Sequence, residues 1–371
     1  MEEKRKIRFG IVGLGHIGKR HLEMIRNNRD AKVVVCCDLL PLEELNVYIP
    51  GISFYRDYKQ LLENHPEMDV LNICVPNGLH AQIAIDALEA GFHVVCEKPM
   101  ALSKQEAELM LYKSLEVSRH IFVVKQNRYS PPAIWLKDII NQNLLGDIYI
   151  VQMNCFWNRD HRYYESNSWR GKQLEDGGTL FTQFSHFIDI MYWLFGDITK
   201  VNGIFKDFNH RYLTDFEDSG IVSFEFVNGG IGCLNYSTSV HNKNLESSVI
   251  VIGEKGTVKV AGQYMNEVVY CDIDNYAMPE LKPSNPPIDY GNYKGSAQNH
   301  HYVIGNVVNK LQNNGSIATN ALEGLKVVDI IERIYQLRDL QEIKKPINDN
   351  VQVHINNVKT EIRSDSLNNR I

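Results

Sequence analysis

Two stretches of this 371-residue chain carry side chains suited to moving a proton. The first is Glu97-Lys98-Pro99, which directly follows the apolar run Phe92 to Cys96. A free lysine, with a pKa of about 10.4, is a poor base. Burial and a neighbouring positive charge both lower that value, and a proline at 99 allows a cis peptide that would aim the lysine. The second stretch is Asp176-Gly-Gly-Thr-Leu-Phe-Thr-Gln-Phe-Ser-His-Phe-Ile-Asp189. Thr179, Thr182, Gln183 and His186 recur at helical spacing, on one face of a helix otherwise rich in Leu, Phe, Ile and Met. A polar stripe on such a helix predicts a lined pocket, with His186 as an acid/base or hydroxyl-binding group. The plainer readings, a solvated charge pair at 97–98 and a hydrogen-bonded structural histidine at 186, stay open on these residues alone.

The chemistry such a base would serve is indicated near the N-terminus. Ile7 to Val12 reads as a buried parallel strand, Gly13-Leu-Gly-His-Ile-Gly18 follows at once, and His16 to Arg26 reads as a helix. A second apolar run, Lys32 to Cys37, ends in Asp38. Strand, glycine loop, helix, strand and acid together predict a dinucleotide site. Gly13 permits the tight turn, Gly15 lets the backbone approach a pyrophosphate, and Gly18 permits close helix–strand packing. The N–H groups around His16 and Ile17 at the helix start favour phosphate. Asp38 would accept hydrogen bonds from the ribose hydroxyls and repel a 2′-phosphate. Leu39, Leu40 and Pro41 supply no cation to hold one, so NAD is expected rather than NADP. Hydride transfer from a secondary alcohol to NAD needs a group to take the hydroxyl proton, and Lys98 is that candidate. Val75-Pro76-Asn77-Gly78-Leu79-His80 lies at another strand end, the edge where ligands bind in such sheets. Asn77 and His80 could line the cofactor channel; a turn with a helix-start histidine is the alternative.

These residues require a particular frame. Strands at 69–75, 92–96 and 120–125 alternate with helices at 58–63, 80–90 and 103–118, the last opened by a Ser103/Glu106 capping box. That alternation predicts a doubly wound parallel sheet, a Rossmann domain over residues 1–126. From 127 to 345 the pattern changes to an α+β domain with an open, mostly antiparallel sheet. Its strands are expected at 148–157, 200–207, 220–226, 231–239, 248–252 and 257–260. One helix, 178–195, interrupts them; 274–296 reads as a long loop, and helices are expected at 297–313 and 321–338. Residues 346–371 read as a polar tail.

Composition narrows the class. The chain is 44% hydrophobic and 23% charged, ordinary for a globular protein. A formal net charge of −6 gives no reason to expect nucleic acid or an anionic membrane as partner. No apolar run approaches the roughly 20 residues of a membrane span. The N-terminus runs straight into the first strand, which leaves no room for a signal peptide. Seven cysteines, without a CxxC pair, read as reduced and mostly buried thiols of a cytoplasmic protein, and no metal site is expected.

The glycine loop, Glu97-Lys98-Pro99 and the Gly177-Gly178…His186-x-x-Asp189 helix together resemble the glucose–fructose oxidoreductase / inositol dehydrogenase (Gfo/Idh/MocA) family. The resemblance covers about residues 5–340. It implies a Rossmann domain, a C-terminal domain whose open sheet forms oligomer contacts, and Lys98 and His186 as active-site residues. Many members carry an aspartate four residues before this histidine, where this chain has Thr182. The carboxylate that would orient or charge the imidazole is missing, which shifts weight toward Lys98.

Lys125-Gln-Asn-Arg-Tyr-Ser-Pro-Pro132, Asn154-Cys-Phe-Trp-Asn-Arg159, Tyr163-Tyr164 and Trp169-Arg170-Gly171 are similar, more narrowly, to the UDP-N-acetylglucosaminuronate 3-dehydrogenases. This similarity implies oxidation of a sugar C3 hydroxyl on the way to surface polysaccharides, and a homodimer or homotetramer. Arg128, Arg159, Arg162, Arg170 and Lys172 are candidate cations for a diphosphate and a carboxylate. Gln126, Trp169 and Arg170 are implied beside the nicotinamide half of NAD, and Val75, Pro76 and Glu97 are further candidates for binding the cofactor. Arg128, Tyr129, Tyr163, Thr182 and Gln183 are implied on the substrate with Lys98 and His186. The competing readings are a dehydrogenase of a free sugar or cyclitol, a glycosidase that uses NAD transiently, and a dinucleotide-sensing regulator without turnover.

Overall fold

Short apolar runs rich in Val, Ile and Cys build the first sheet. In the computed structural model, which describes residues 5–343 except 167 and 292, six of them pair in parallel. They are β1 (Ile7–Val12), β2 (Ala31–Cys37), β3 (Ser53–Tyr55), β4 (Val70–Ile73), β5 (His93–Cys96) and β6 (Ile121–Val123). Their order is β3-β2-β1-β4-β5-β6. The chain runs outward on one side of β1 and then returns to start β4 on the other. The crevice beyond the carboxyl ends of β1 and β4 is therefore the ligand edge of the sheet. Helices α1 (His16–Arg26), α2 (Tyr58–Asn64), α3 (His80–Glu89) and α4 (Lys104–Glu116) connect the strands. The Ser103/Glu106 capping box is formed in both directions at the start of α4.

The glycine loop has the tight geometry its sequence requires. Gly13 has φ +88°, and a Cβ there would lie 2.3 Å from the Cys74 carbonyl oxygen. At Gly18 a Cβ would lie 1.8 Å from the Gly13 carbonyl oxygen. A side chain at either position would push the loop off the strand ends.

The second sheet follows α5 (Pro131–Asn141). Its strands are β7 (Ile148–Phe156), β8 (Ile198–Lys206), β9 (Ser219–Phe226), β10 (Ile231–Ser237), β11 (Glu246–Gly253), β12 (Gly256–Ala261) and β13 (Glu267–Ile273), in the order β13-β12-β11-β7-β10-β9-β8. Every neighbouring pair is antiparallel except β7 with β10. Helix α6 (Ser185–Phe195) lies against the inner face, where Trp157 meets the rings of Phe184 and Phe187, each at 5.6 Å. Strand residues alternate in burial. Val151, Met153 and Cys155 point inward, while Ile150, Ile204, Ile221 and Ile231 stay exposed on the other face. Ile204 pairs with Ile221 and Ile231 with Ile150, so these side chains form two apolar pairs on that face.

Three local features depart from the sequence expectation. Glu267–Ile273 is an edge strand, although its Glu-Val-Val-Tyr-Cys-Asp order lacks clean alternation. The expected loop at 274–296 contains a small ribbon, β14 (Pro287–Asp289) with β15 (Lys294–Ala297). Because β15 takes residues up to Ala297, the following helix α7 starts at His300 and runs to Asn313, and α8 spans Ala321–Ile343. Helix α7 packs through Val303, Ile304 and Val307 into the core that holds Leu22 and Ile25 of α1.

All contacts discussed below lie within the compact unit that ends at Ile334. The expected polar tail at 346–371 falls outside the described residues. No helix among the described residues is long and apolar enough to cross a membrane. All seven cysteines are free thiols, five of them buried.

Candidate active site

Lys98 emerges one residue beyond Glu97 at the end of β5, and its peptide bond to Pro99 is cis. Its Nζ donates to the carbonyl oxygen of Thr182 at 2.6 Å. Burial lowers its pKa to about 8; Glu97 and Asp176 oppose that shift, and Lys125 and Arg159 add to it. A lysine in this state is neutral in about a tenth of molecules at pH 7, far more than a free lysine, as a general base requires.

The chain turns through a π-helical stretch, Leu180–Phe184, before α6 begins. Single π turns recur at functional sites. Thr182, Gln183 and His186 are thereby brought to the sheet edge. The four expected stripe residues have separate tasks. Thr179 donates to the Glu217 carbonyl. Thr182 accepts from Asn77 Nδ2 at 2.8 Å and makes a short hydrogen bond to the Asp176 carboxylate. Gln183 donates to the Tyr163 hydroxyl and accepts from Arg159 Nε, both at 2.7 Å. His186 is buried, with Nε2 3.4 Å from Gln126 Nε2 and with no hydrogen-bond partner for Nδ1 among the described residues. Burial, reinforced by Lys98 and Lys125, holds its pKa well below the usual value, so the ring is neutral.

The carboxylate absent at position 182 is supplied from Asp176, but on the lysine side of the site. Burial raises Asp176 to about 6, against the Thr182 hydroxyl, the Gly171 N–H, Arg170 and Lys98. Sequence reasoning quoted Asp176 only as the start of a motif; its place in front of two glycines was the available signal. Lys125 was passed over as well. It is buried, with Nζ 3.4 Å from the Ser185 carbonyl, and burial lowers it to about 8.

At the dinucleotide edge, Asp38 Oδ2 accepts from Leu14 N at 2.6 Å and Oδ1 from Leu40 N at 2.9 Å. The carboxylate is thus locked against the glycine loop, and each oxygen keeps a second lone pair. A Cβ built on Gly15 meets no atom within 4 Å, which leaves the room a pyrophosphate needs. His16 is exposed and lies edge-on to Tyr290 at 5.6 Å, while Ile17 packs onto the α1 core. Val75 and Pro76 are half-buried at the end of β4. These features fit NAD.

Several side chains expected to face a ligand are committed to the protein. His80 is buried, with Nδ1 2.7 Å from the Pro99 carbonyl and Nε2 3.0 Å from that of Val75; it braces two loops instead of lining the channel. Asn77 bridges to the Asp176 carbonyl and Thr182, joining the first domain to the second. Arg128 is not free for substrate. It makes a two-pronged ion pair with Asp189 at 2.8 and 2.7 Å, a third bond to Glu323 at 2.7 Å and a fourth to the Ala318 carbonyl. Tyr129 stacks on Tyr302 at 5.3 Å and packs onto the α1 and α7 core. Arg162 is paired with Asp160, and Lys172 with Glu175, both at exposed positions.

Arg159 and Arg170 differ from those cations. Arg159 is 1% exposed and, among the described residues, donates to neutral oxygens, those of Gln183, Asn158, Asn244 and Lys294. Burial lowers its pKa. Arg170 donates to the Tyr163 carbonyl, Ser166 and the Tyr293 hydroxyl, and its Nε has no partner among the described residues. Both guanidinium groups lie over the rings of Tyr163 and Tyr293, with Trp169 beside Arg170 at 5.8 Å. Neither is ion-paired to a carboxylate among the described residues.

Behind Lys98, Glu97 is buried and accepts from His21 Nε2 at 3.0 Å, with His300 Nε2 at 3.6 Å. Their donor atoms lie within 4.8 Å of one another. Asn72 Nδ2 satisfies the other nitrogen of His21 at 2.8 Å, so that ring is fully paired by protein.

Comparison with known proteins gives two family matches. Residues 7–124 match the oxidoreductase family model of the NAD-binding Rossmann fold, and residues 134–259 match the GFO/IDH/MocA C-terminal domain. Among solved structures, the WlbA dehydrogenase from Bordetella pertussis, in complex with NADH and UDP-GlcNAcA, is 33% identical with a TM-score of 0.78, over 90% of this chain and 96% of that one. The WlbA dehydrogenase from Chromobacterium violaceum, with the same two ligands, is 29% identical with a TM-score of 0.79, over 91% and 95%. An inositol 2-dehydrogenase/D-chiro-inositol 3-dehydrogenase of Lactiplantibacillus plantarum is 26% identical over 70% of this chain and 73% of its own length. Other curated relatives are spanned over as little as 57% of their length.

Proposed function

Because this chain belongs to the Gfo/Idh/MocA family of NAD-dependent oxidoreductases, acting on sugars or cyclitols, we propose that it oxidises the C3 hydroxyl of a UDP-N-acetylglucosaminuronate-type nucleotide sugar. The observation that carries this reading is the pair Arg159 and Arg170, two guanidinium groups stacked on the same tyrosines without a carboxylate partner among the described residues. Buried charge is costly unless it is paired. A neutral cyclitol would leave buried Arg159 without a carboxylate among the described residues and Arg170 with only the charge of nearby Asp176, whereas a substrate with a carboxylate and a diphosphate would supply further anions. The UDP-GlcNAcA bound in two similar structures agrees with that chemistry.

In this reading NAD, when bound at the glycine loop, supplies the hydride acceptor. Lys98 takes the hydroxyl proton at Nζ. The Thr182 carbonyl, which already accepts from Nζ, steadies the resulting ammonium, and Asp176 and Glu97 favour its charge. Neutral His186 shares the substrate hydroxyl and positions the ring. The product enters surface polysaccharide synthesis, and the enzyme works in the cytoplasm as a homodimer or homotetramer. The apolar pairs formed by Ile150, Ile204, Ile221 and Ile231 are the proposed subunit contact.

The test is a panel of UDP-sugars, free sugars and inositols, read by NADH absorbance. UDP-N-acetylglucosaminuronate is expected to give turnover and its neutral parent, UDP-N-acetylglucosamine, to be poor. Turnover of myo-inositol with no UDP-uronate activity would favour the second reading, a cyclitol dehydrogenase like the Lactiplantibacillus relative.

A further inference from the structure

We propose that Glu97, held by His21 of α1 and faced by His300 of α7, is a positioning residue that sets the charge state of Lys98. The proposal rests on Lys98 being the base, and it adds a device that neither the family match nor the base assignment supplies.

The geometry is that of a hub. One Glu97 oxygen receives His21 Nε2 at 3.0 Å and faces His300 Nε2 at 3.6 Å; the other accepts the backbone N–H of Lys98 at 3.1 Å. Asn72, on β4, fixes the His21 ring from behind at 2.8 Å. His21 and His300 also meet edge to face at 5.8 Å. The carboxylate thereby ties three elements to one point: the helix that starts at the glycine loop, the strand end that carries Lys98, and the first helix after the β14–β15 ribbon. All three side chains are nearly inaccessible to water. A buried carboxylate stays ionised only if its hydrogen bonds offset desolvation. Burial pushes Glu97 up, but the two histidines hold it well below the usual range. Both histidines thus favour the ionised carboxylate.

Lys98 has charged neighbours on every side. Glu97 and Asp176 favour the ammonium; Lys125 and Arg159 disfavour it, and buried His186 lies close by. The Glu97 carboxylate is anchored on the backbone N–H of Lys98 itself, at 3.1 Å, and its negative charge favours the ammonium. Without it, the amine would be neutral over a wider pH range and would hold a proton less well after taking one. The hub is thus built to keep Lys98 from becoming too weak a base, and its histidines act through Glu97.

The experiment follows Lys98 directly. Competitive acetylation of the full-length protein with acetic anhydride across pH, read by mass spectrometry at Lys98, gives its titration without any substrate. Glu97→Gln keeps the shape and removes the charge. It is expected to move the Lys98 midpoint down by about one pH unit or more, the size of a nearby opposite charge. His21→Phe is expected to shift it the same way, because Glu97 loses its closest donor and takes up a proton. His300→Phe removes only the 3.6 Å partner and gives a smaller shift of the same sign; it carries the test if Glu97→Gln does not fold. An unmoved Lys98 midpoint in folded Glu97→Gln, or in folded His300→Phe where that variant carries the test, overturns the proposal. The acid limb of kcat/KM is measured in parallel. A labelling midpoint that moves while the limb stays fixed supports the hub and rejects Lys98 as the base, so the two failures are distinguishable.

Discussion

Lys98 Nζ donates to the Thr182 carbonyl at 2.6 Å, so a strand-end lysine of the first domain is fastened to the π-helical turn that leads into the helix carrying His186 in the second. The Lys98 nitrogen is therefore held by backbone, in a place where burial has lowered its pKa to about 8.

A pH dependence follows from that value. The base must be neutral to accept a proton. Above about 8 the amine is free, and below it the ammonium predominates. kcat/KM is expected to fall about tenfold per pH unit on the acid side of this value. His186 is already neutral and adds no limb near pH 7. A profile flat from pH 6 to 9, with chemistry shown to be rate-limiting by a substrate isotope effect, would contradict it.

Asp38→Ala is expected to weaken NAD by roughly tenfold or more, the worth of a charge-assisted hydrogen bond. It should also narrow the preference over NADP. Because Asp38 holds the N–H groups of Leu14 and Leu40, the apoprotein should lose stability too. Fluorescence titration with NAD and NADP, beside a thermal melt, separates the two effects. Equal affinity of the wild type for both cofactors would oppose the assignment.

Arg128→Met is expected to behave as a stability mutant. Removing one partner of a buried ion pair costs about 3–5 kcal/mol, because Asp189 is left buried and uncompensated. Urea unfolding should show that loss while KM for the sugar barely changes. A large rise in KM at normal stability would return Arg128 to the substrate.

Ile221→Lys, alone or with Ile231→Lys, is expected to break the oligomer without unfolding the domain, since both side chains are exposed in the single chain. Light scattering at micromolar concentration is the check. A wild type that is already monomeric rules out the sheet face as a subunit contact.

Much of the first domain was legible because its signals are local. Gly13, Gly18 and Asp38 sit where strand, turn and helix geometry alone demands them, and the Ser103 cap is a four-residue pattern. The second domain was legible in class but not in detail. Edge strand β13 lacks an alternating face, and the β14–β15 ribbon is too short to show a period. Arg128 and Arg159 look alike in sequence. What separates them is Asp189 and Glu323 against Gln183 and Asn244, partners up to 195 residues away. Tyr129 and His80 were placed toward ligands by their neighbours in sequence, whereas their tasks are set by Tyr302 and by the Pro99 carbonyl. Asp176 carried a local signal, its place before Gly177 and Gly178, whereas the charge that Lys125 brings to Lys98 depends on folding.

The central claim is that Lys98 takes the proton, and single-turnover and steady-state kinetics of Lys98→Met beside His186→Asn test it most directly, with folding and NAD affinity checked in each. Loss of a general base costs about 10²-fold or more in kcat. The account predicts that loss in Lys98→Met at nearly unchanged NAD affinity. It predicts a smaller loss in kcat and a larger rise in KM for His186→Asn. A Lys98→Met enzyme with near-wild-type kcat beside an inactive His186→Asn would contradict the account and give the proton to the histidine.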